Sequence, residues 1–546
     1  MAQKYNETLT ELRDNVESMR SVLNEVGLDG YDNMSTWPDQ MRERVKTTDT
    51  LEAEIDTLNN KIENNNEQFD NIYDAIVEKG QSPDKEDIDT YAVAIRNIET
   101  GEISLKIPNL AYFFYNNYRD LDTYWVLVTS EVYSMEKMLK YVTVDPGKEY
   151  TLDISGLNGE SARQIFQGFR PNSTGSVTIK LKVTDNVTSI KKLFTYDDTN
   201  EGTWGASGRN IEFKFTDESD VSNLVDLESA FMGHTFGTID LSKLEGVPIT
   251  SLVKLFRYSA ADSLIIPLNT ENIEDFQYAF SYLNYNISKS LDIDLSTWIF
   301  KEGVTLLSTF LNCRANSISF KEGTIFKGCN MRSTFNGCTK LTNLKVNIQD
   351  DEDTVAESYM YTFSGCSNLV EIDSDADFTL NSTTMEYMFN NCSVLTTLPA
   401  INIYTSNTKT TLSKMFYQCF KLKEVNINII NSGQIAVDSM FYRCGELENI
   451  KGNLDLSGAI NTNLFSNCTN LKTIETSGGL YTKITTSSVT LDLSASSVFD
   501  IEHFLNQLAS NDTGLTRIIK LSATVYNGLT DEVKELATSK NYTLSK

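Results

Sequence analysis

The sequence predicts a repeat solenoid of short helix-plus-strand units, an α+β fold, preceded by an α-helical coiled-coil stalk. Three observations predict it. Seven Phe-x-x-Cys units recur between Phe310 and Cys468, their cysteines 25, 28, 26, 27, 25 and 24 residues apart. The residues around each unit keep a fixed apolar spacing. The N-terminal segment carries heptad seams instead.

A period of 20–30 residues is the mark of a solenoid, whose units bury their apolar faces on one another. Four residues before most of the phenylalanines stands another apolar or aromatic residue: Leu306, Met331, Tyr359, Met385, Leu412 or Val437. With the Cys at +3, positions −4, 0 and +3 share one face of a helix. At +6 comes Leu341, Leu369, Leu395, Leu422, Leu447 or Leu471, and at +9 Leu344, Ile372, Leu398, Val425, Ile450 or Ile474. Alternation then begins, as in Val425-Asn-Ile-Asn-Ile429, which reads as a strand. Each unit is therefore expected to be one or two helical turns, a corner and a strand. The Cys serves as a small hydrophobe filling the corner. Cys329 stands outside this register and has no assigned role.

Degenerate copies extend upstream. Leu227/Phe231, Leu252/Phe256 and Phe276/Phe280 keep the −4/0 pair without the Cys, and Phe194, Phe166, Met138 and Phe114 are weaker anchors. The total is about 14 units, a rod of roughly 65 Å at about 4.8 Å per strand. Solenoid ends need caps. Residues 101–130, rich in aromatics, are expected to cap one end or else to form a small β-domain. At the other, Leu521–Val525 reads as a strand, and Leu529, Val533 and Leu536 as one face of a helix opened by Thr530.

In the stalk, Tyr5, Leu9, Leu12, Val16, Met19, Leu23 and Val26 alternate spacings of four and three. A second seam runs from Leu51 to Ile76, with Asn65 in a core position that sets register. A helical hairpin could bury these seams. Their regularity favours a homo-oligomer, a trimer through residues 1–80. The resulting segments are a stalk over 1–100, an N-terminal cap and degenerate repeats over 101–220, a regular solenoid over 221–480 and a C-terminal cap over 481–546.

Composition excludes several function classes. With 75 acidic against 47 basic residues the net charge is −28, which repels phosphate backbones and anionic lipid. Nucleic acid is therefore not an expected partner. No run of about 18 apolar residues is present, so no membrane insertion is expected. The start of the chain has no secretory pattern, which implies folding in a cytoplasm. Zinc has no C-x₂-C pair and only His234 and His503 as imidazole ligands. His234 occupies the Cys position of its repeat and reads as a packed corner residue. Asp373-Ser-Asp-Ala-Asp377 begins like a calcium loop but lacks its Gly and closing Glu. Asp350–Asp353 reads as a solvated acidic loop, with weak calcium binding as the alternative. No catalytic, cofactor-binding or metal-binding residue is expected, and the chain is expected not to be an enzyme.

The consensus apolar-x-x-x-Phe-x-x-Cys-x-x-Leu-x-x-Ile, clearest over residues 306–475, resembles the BspA-type leucine-rich repeat. That resemblance implies adhesion and binding of proteins or glycans, with no catalytic residues. Residues 71–101, and more weakly 18–45, form a helix–Gly–loop–helix unit that resembles a short module of bacteriophage tail and head fibres. Together the two imply a virion fibre, made in the bacterial host cytoplasm. The stalk would bind itself and other virion proteins, and the solenoid a host surface glycan or protein. A bacterial surface adhesin and an intracellular leucine-rich-repeat scaffold are the alternatives.

Overall fold

The computed structural model describes residues 139, 143–155, 164–195, 209–286, 291–405, 409–431, 435–457, 459–460, 463–476 and 489–546. The predicted stalk over 1–100, the anchors Phe114 and Met138, and the aromatic cap over 101–130 lie outside these residues.

Among the described residues the chain winds as a β-solenoid of about 14 turns with little helix. One sheet runs through Glu149–Asp153, Gly175–Lys182, Arg209–Phe215, Phe236–Asp240 and Ser263–Ile265. Another runs through Phe378–Asn381, Ile401–Thr405, Glu424–Asn431, Asn449–Asn453 and Thr473–Ile474. Their strands pair in parallel, each with its counterpart one coil away. Inward positions such as Ile401, Ile403, Val425, Ile427 and Ile450 are buried. A shorter parallel sheet, Thr410–Thr411, Ile435–Ala436 and Ala459–Ile460, precedes the Phe-x-x-Cys segments.

Twelve repeat phenylalanines, from Phe166 to Phe465, stack along the core. From Phe280 onward their centroids are 5.1–5.7 Å apart with planes within 12°. Offset stacking of this kind adds about 0.5–1.5 kcal/mol per pair beyond area burial.

The expected helix of each repeat is absent. Its place is taken by a ladder of overlapping β-turns. In the unit of Phe335, the amides of Thr334, Asn336 and Cys338 donate to carbonyls three residues back. The alternate amides, of Met331, Ser333, Phe335 and Gly337, donate to Ser358, Met360, Thr362 and Ser364 of the next coil. An α-helix would spend every amide within itself and leave none for the neighbouring coil. Dividing the amides in this way requires left-handed backbone at positions −2 and +2. Ser308 and Asn312, Tyr387 and Asn391, Lys414 and Gln418 all have φ between +55° and +62°. Gly337 holds φ +74°, and a Cβ there would strike the Asn312 side chain. In several coils a side chain at −5 starts the ladder: Asp226, Asp275, Asn330 and Ser358 accept the amide at −3 at 2.8–3.1 Å. The buried positions −4, −1, 0 and +3 reproduce a helical stripe, which is why the spacing read as helix.

At the C-terminal end, Val489–Leu493, Arg517–Leu521 and Thr543–Ser545 form a parallel sheet. Helices Ile501–Gln507, Ala523–Asn527 and Asp531–Ser539 accompany it. The Thr530 hydroxyl caps the last helix by accepting the Val533 amide. The strand expected over Leu521–Val525 ends at Leu521. Ser522 instead caps the following helix, accepting the Val525 amide at 3.3 Å.

Candidate binding surface

The residues that could carry chemistry are mostly structural. Six of the seven repeat cysteines donate S–H to the phenylalanine carbonyl of the preceding coil, Cys338 to Phe310 through Cys468 to Phe441, at 3.0–3.1 Å. That carbonyl already accepts one turn amide, so the thiol fills its second lone pair. Ser259 stands in the Cys position of its coil and makes the same bond to Phe231. All eight cysteines are buried and free. Burial pushes the Cys313 and Cys468 thiols up to about 12, the opposite of a reactive thiolate. Cys329 is buried beside the carbonyls of Lys327 and Lys301, at 3.5 and 3.8 Å.

His234 packs in the Cys register as expected. Its ring hydrogen-bonds the Phe194 backbone, and its Nε2 accepts the Gly168 amide at 3.2 Å. Complete burial lowers it to about 4, so it is neutral in the fold. The acidic loop departs from expectation at Asp350, which is 4 % exposed. It accepts the Tyr359 hydroxyl at 2.6 Å and the amides of Gly328 and Asn381 at 2.8 Å. Tyr359 fills an otherwise apolar −4 position, so its hydroxyl needs a buried partner. Burial raises Asp350 above the usual carboxylate range, and these hydrogen bonds offset part of that rise. Asp351 pairs with Lys327, and Asp375 with Lys345. No group of three or more His, Cys, Asp or Glu suited to a metal occurs among the described residues. A cavity lined by Leu139, Tyr150, Leu152, Phe166 and Ile179 has room for about one water. No helix among the described residues is long and apolar enough to cross a membrane.

The surface feature is the turn ladder itself. Side chains at −3, −2, +1 and +2 emerge from it, and coil-to-coil stacking sets them in columns. Tyr258 stacks on Tyr282 at 4.6 Å, Tyr361 on Tyr387 at 4.7 Å, and Tyr417 on Tyr442 at 4.9 Å. Cations cover these rings. Arg257 lies 4.8 and 4.7 Å from the centroids of Tyr258 and Tyr278, and Arg314 4.7 Å from Tyr285. Lys414 lies 5.0 Å from Tyr387 and also donates to its hydroxyl at 2.9 Å. That hydrogen bond is the main cause raising Lys414 above the usual lysine value. Arg443 sits 5.5 Å from Tyr442.

From the coil of Phe256 to that of Phe465, positions −3 to +4 hold Lys254, Arg257, Arg314, Arg332, Lys414 and Arg443. Their only carboxylates are Glu386 and Asp438. A chain of net charge −28 thus presents one cationic, tyrosine-rich face. Elsewhere lysines are matched across coils by carboxylates, as in Lys421–Glu446, Lys451–Glu424 and Lys472–Glu448 at 2.6 Å. Sequence reading missed this face because its columns join residues about 25 positions apart. The visible signal was Tyr, Lys or Arg at −2, +1 and +2.

Residues 295–433 and 400–489 match the family model of the BspA type leucine rich repeat region. The chain carries a BspA-type repeat region. Residues 225–350 match a second family, described as a Mycoplasma protein of unknown function, DUF285. The two matches overlap in the middle of the solenoid, so the degenerate and the Cys-bearing coils form one series. No curated protein matches the chain.

Proposed function

We propose that this chain is a non-enzymatic adhesion protein whose BspA-type solenoid binds a cell-surface glycan or protein through its turn-ladder face. The observation that carries this reading is the segregation of cations and tyrosines onto that face of an acidic chain. Tyrosine gives a large, rigid, amphipathic contact at low entropic cost. An excess of Arg and Lys on this face steers anionic partners and disfavours cationic ones. Binding would be spread over many coils, as repeat proteins use their extended surfaces. A cell-adhesion assay tests it. Charge reversal at Lys254, Arg257, Lys414 and Arg443 should abolish attachment, while Lys421, Lys451 and Lys472→Ser, outside the turn ladder, should leave it intact. Equal attachment by both variants would overturn the reading.

The bacteriophage-fibre reading adds a carrier to the same surface and rests on the heptads of residues 1–80. It places the protein on a virion as a trimer bound to other virion proteins. A stable trimer in sedimentation, lost on deleting residues 1–80, would support it; a monomeric full-length chain would remove its mechanism. A cell-surface adhesin fits the repeat matches at least as well.

A further inference from the structure

The turn-ladder face is not uniform along its length. Over the coils of Phe256, Phe280, Phe310 and Phe335, positions −3 to +4 carry Lys254, Arg257, Arg314 and Arg332 and no carboxylate. Further along, Lys414 and Arg443 share the face with Glu386 and Asp438. The excess charge is therefore concentrated in four coils, which span about 16 Å at steps of 5.4, 5.1 and 5.3 Å. Among the described residues, Lys254, Arg314 and Arg332 form no ion pair. Arg314 lies over the Tyr285 ring, with its Nε buried and without a hydrogen-bond partner, and Arg332 is exposed.

The same four coils carry an apolar centre. Leu307 and Leu311, both half-buried, fill −3 and +1 on the Phe310 coil, and no other coil from Phe256 to Phe465 has aliphatic side chains at both positions. Backbone hydrogen bonds fix their neighbours. The Tyr278 and Tyr282 amides donate to the Leu307 and Leu311 carbonyls at 3.2 and 2.7 Å, and the Ser308 amide donates to the Arg332 carbonyl at 2.9 Å. The leucines thus stand between the coil of the two tyrosines and the coil of Arg332. Tyr285, in edge contact with Tyr282, extends the patch and is 38 % exposed.

We infer that this patch anchors a protein partner through an acidic segment that carries an apolar side chain among its carboxylates. The inference rests on the adhesion reading and selects protein over glycan as its ligand class. An apolar centre within a polar rim is the anatomy of a protein interface, and Tyr and Arg are the side chains that most often dominate one. Aliphatic groups gain by burying another apolar side chain, whereas sugar hydroxyls would lose water against them without a hydrogen-bond partner. Arg314 and Arg332 offer planar forks that match carboxylates. Four cations with no acid among them disfavour a basic segment.

A displayed library of random peptides, selected on the full-length protein, supplies the probe. Selected peptides should combine Asp or Glu with a Leu, Phe or Trp. Synthetic copies, followed by fluorescence anisotropy, should lose about tenfold or more when their acids become amides, the range for charge-assisted hydrogen bonds. Arg314→Gln with Arg332→Gln should weaken binding by a similar factor at an unchanged melting temperature, and Arg443→Gln, on the charge-balanced coils, should not. Leu311→Ser should also weaken it about tenfold; Leu307→Ser repeats that test if the first variant melts lower. A library that enriches neutral or basic peptides, or none, would overturn the inference, as would binding that survives the arginine and leucine variants. A heparin-type sulfated oligosaccharide is measured beside the peptides; binding by it alone, indifferent to the leucine variants, would overturn the protein assignment in favour of a glycan. If the peptide assignment fails while the four-site charge reversal abolishes cell attachment, the adhesive face stands without this partner class. If the charge reversal also attaches normally, both fall.

Discussion

Replacing Asn391 by Gly and by Ala distinguishes a turn ladder from a helix by the sign of one energy difference. Asn391 is exposed at position +2, with φ +59°. Its amide donates to the Tyr417 carbonyl of the next coil at 2.7 Å. In a helix interior, Gly would be about 1 kcal/mol worse than Ala. In left-handed backbone the Cβ of Ala meets the following carbonyl, at about 1–2 kcal/mol, and Gly does not. Asn391→Gly should therefore exceed Asn391→Ala in stability by about 1–2 kcal/mol. Repeat arrays open locally, so amide hydrogen exchange at residue 391 and at Gln418 is the suitable assay. Exchange in the Ala variant should be roughly 5–30 times faster than in the Gly variant. Slower exchange in the Ala variant would refute the turn ladder and restore the helix.

The thiol ladder predicts that Cys392→Ser is tolerated better than Cys392→Ala, since Ser259 makes the same bond naturally. The Ala variant loses both the donor and buried volume, about 1–2 kcal/mol, seen as a lower urea midpoint. The raised thiols set an alkaline limit. Their stabilising contribution is complete below the ordinary thiol value of 9.0 and falls as pH rises towards about 12; urea midpoints across that range should fall steadily. His234 sets the acid side. Its value is lowered from 6.5 to about 4, so its stabilisation is present above 6.5 and is lost as pH falls through that window. His234→Ser should flatten this dependence, and NMR titration of the chain's two histidines should show one that stays neutral to about pH 4. Finally, Phe363→Ala removes a ring stacked on both faces. It should cost about 3–5 kcal/mol and appear as a lowered melting temperature.

Much of the architecture was legible in the residues. The Phe-x-x-Cys period set the coil length. The −4, 0, +3 and +6 positions picked out buried residues such as Met385, Phe389, Cys392 and Leu395. The Cys register also explained His234, a corner residue in the fold. What misled was local. The burial stripe of the turn ladder and that of a helix are the same, and only the recurrent Asn or Gly at +2, as in Asn312, Gly337, Gly365, Asn391 and Asn467, argued for left-handed backbone. Asp350 misled for a related reason. Its acidic neighbours Asp351, Glu352 and Asp353 are exposed, and only the coil carrying Tyr359 supplies the hydroxyl that holds it inside.

The sequence by itself determined the period, the buried positions and the chemistry of the corner, because these depend on residue type at fixed separations. The tertiary structure decided the backbone conformation of each repeat, because half of its amides find their acceptors a whole coil away. It alone decided the binding face as well. Tyr361, Tyr387 and Lys414 become neighbours only when coils stack about 5 Å apart.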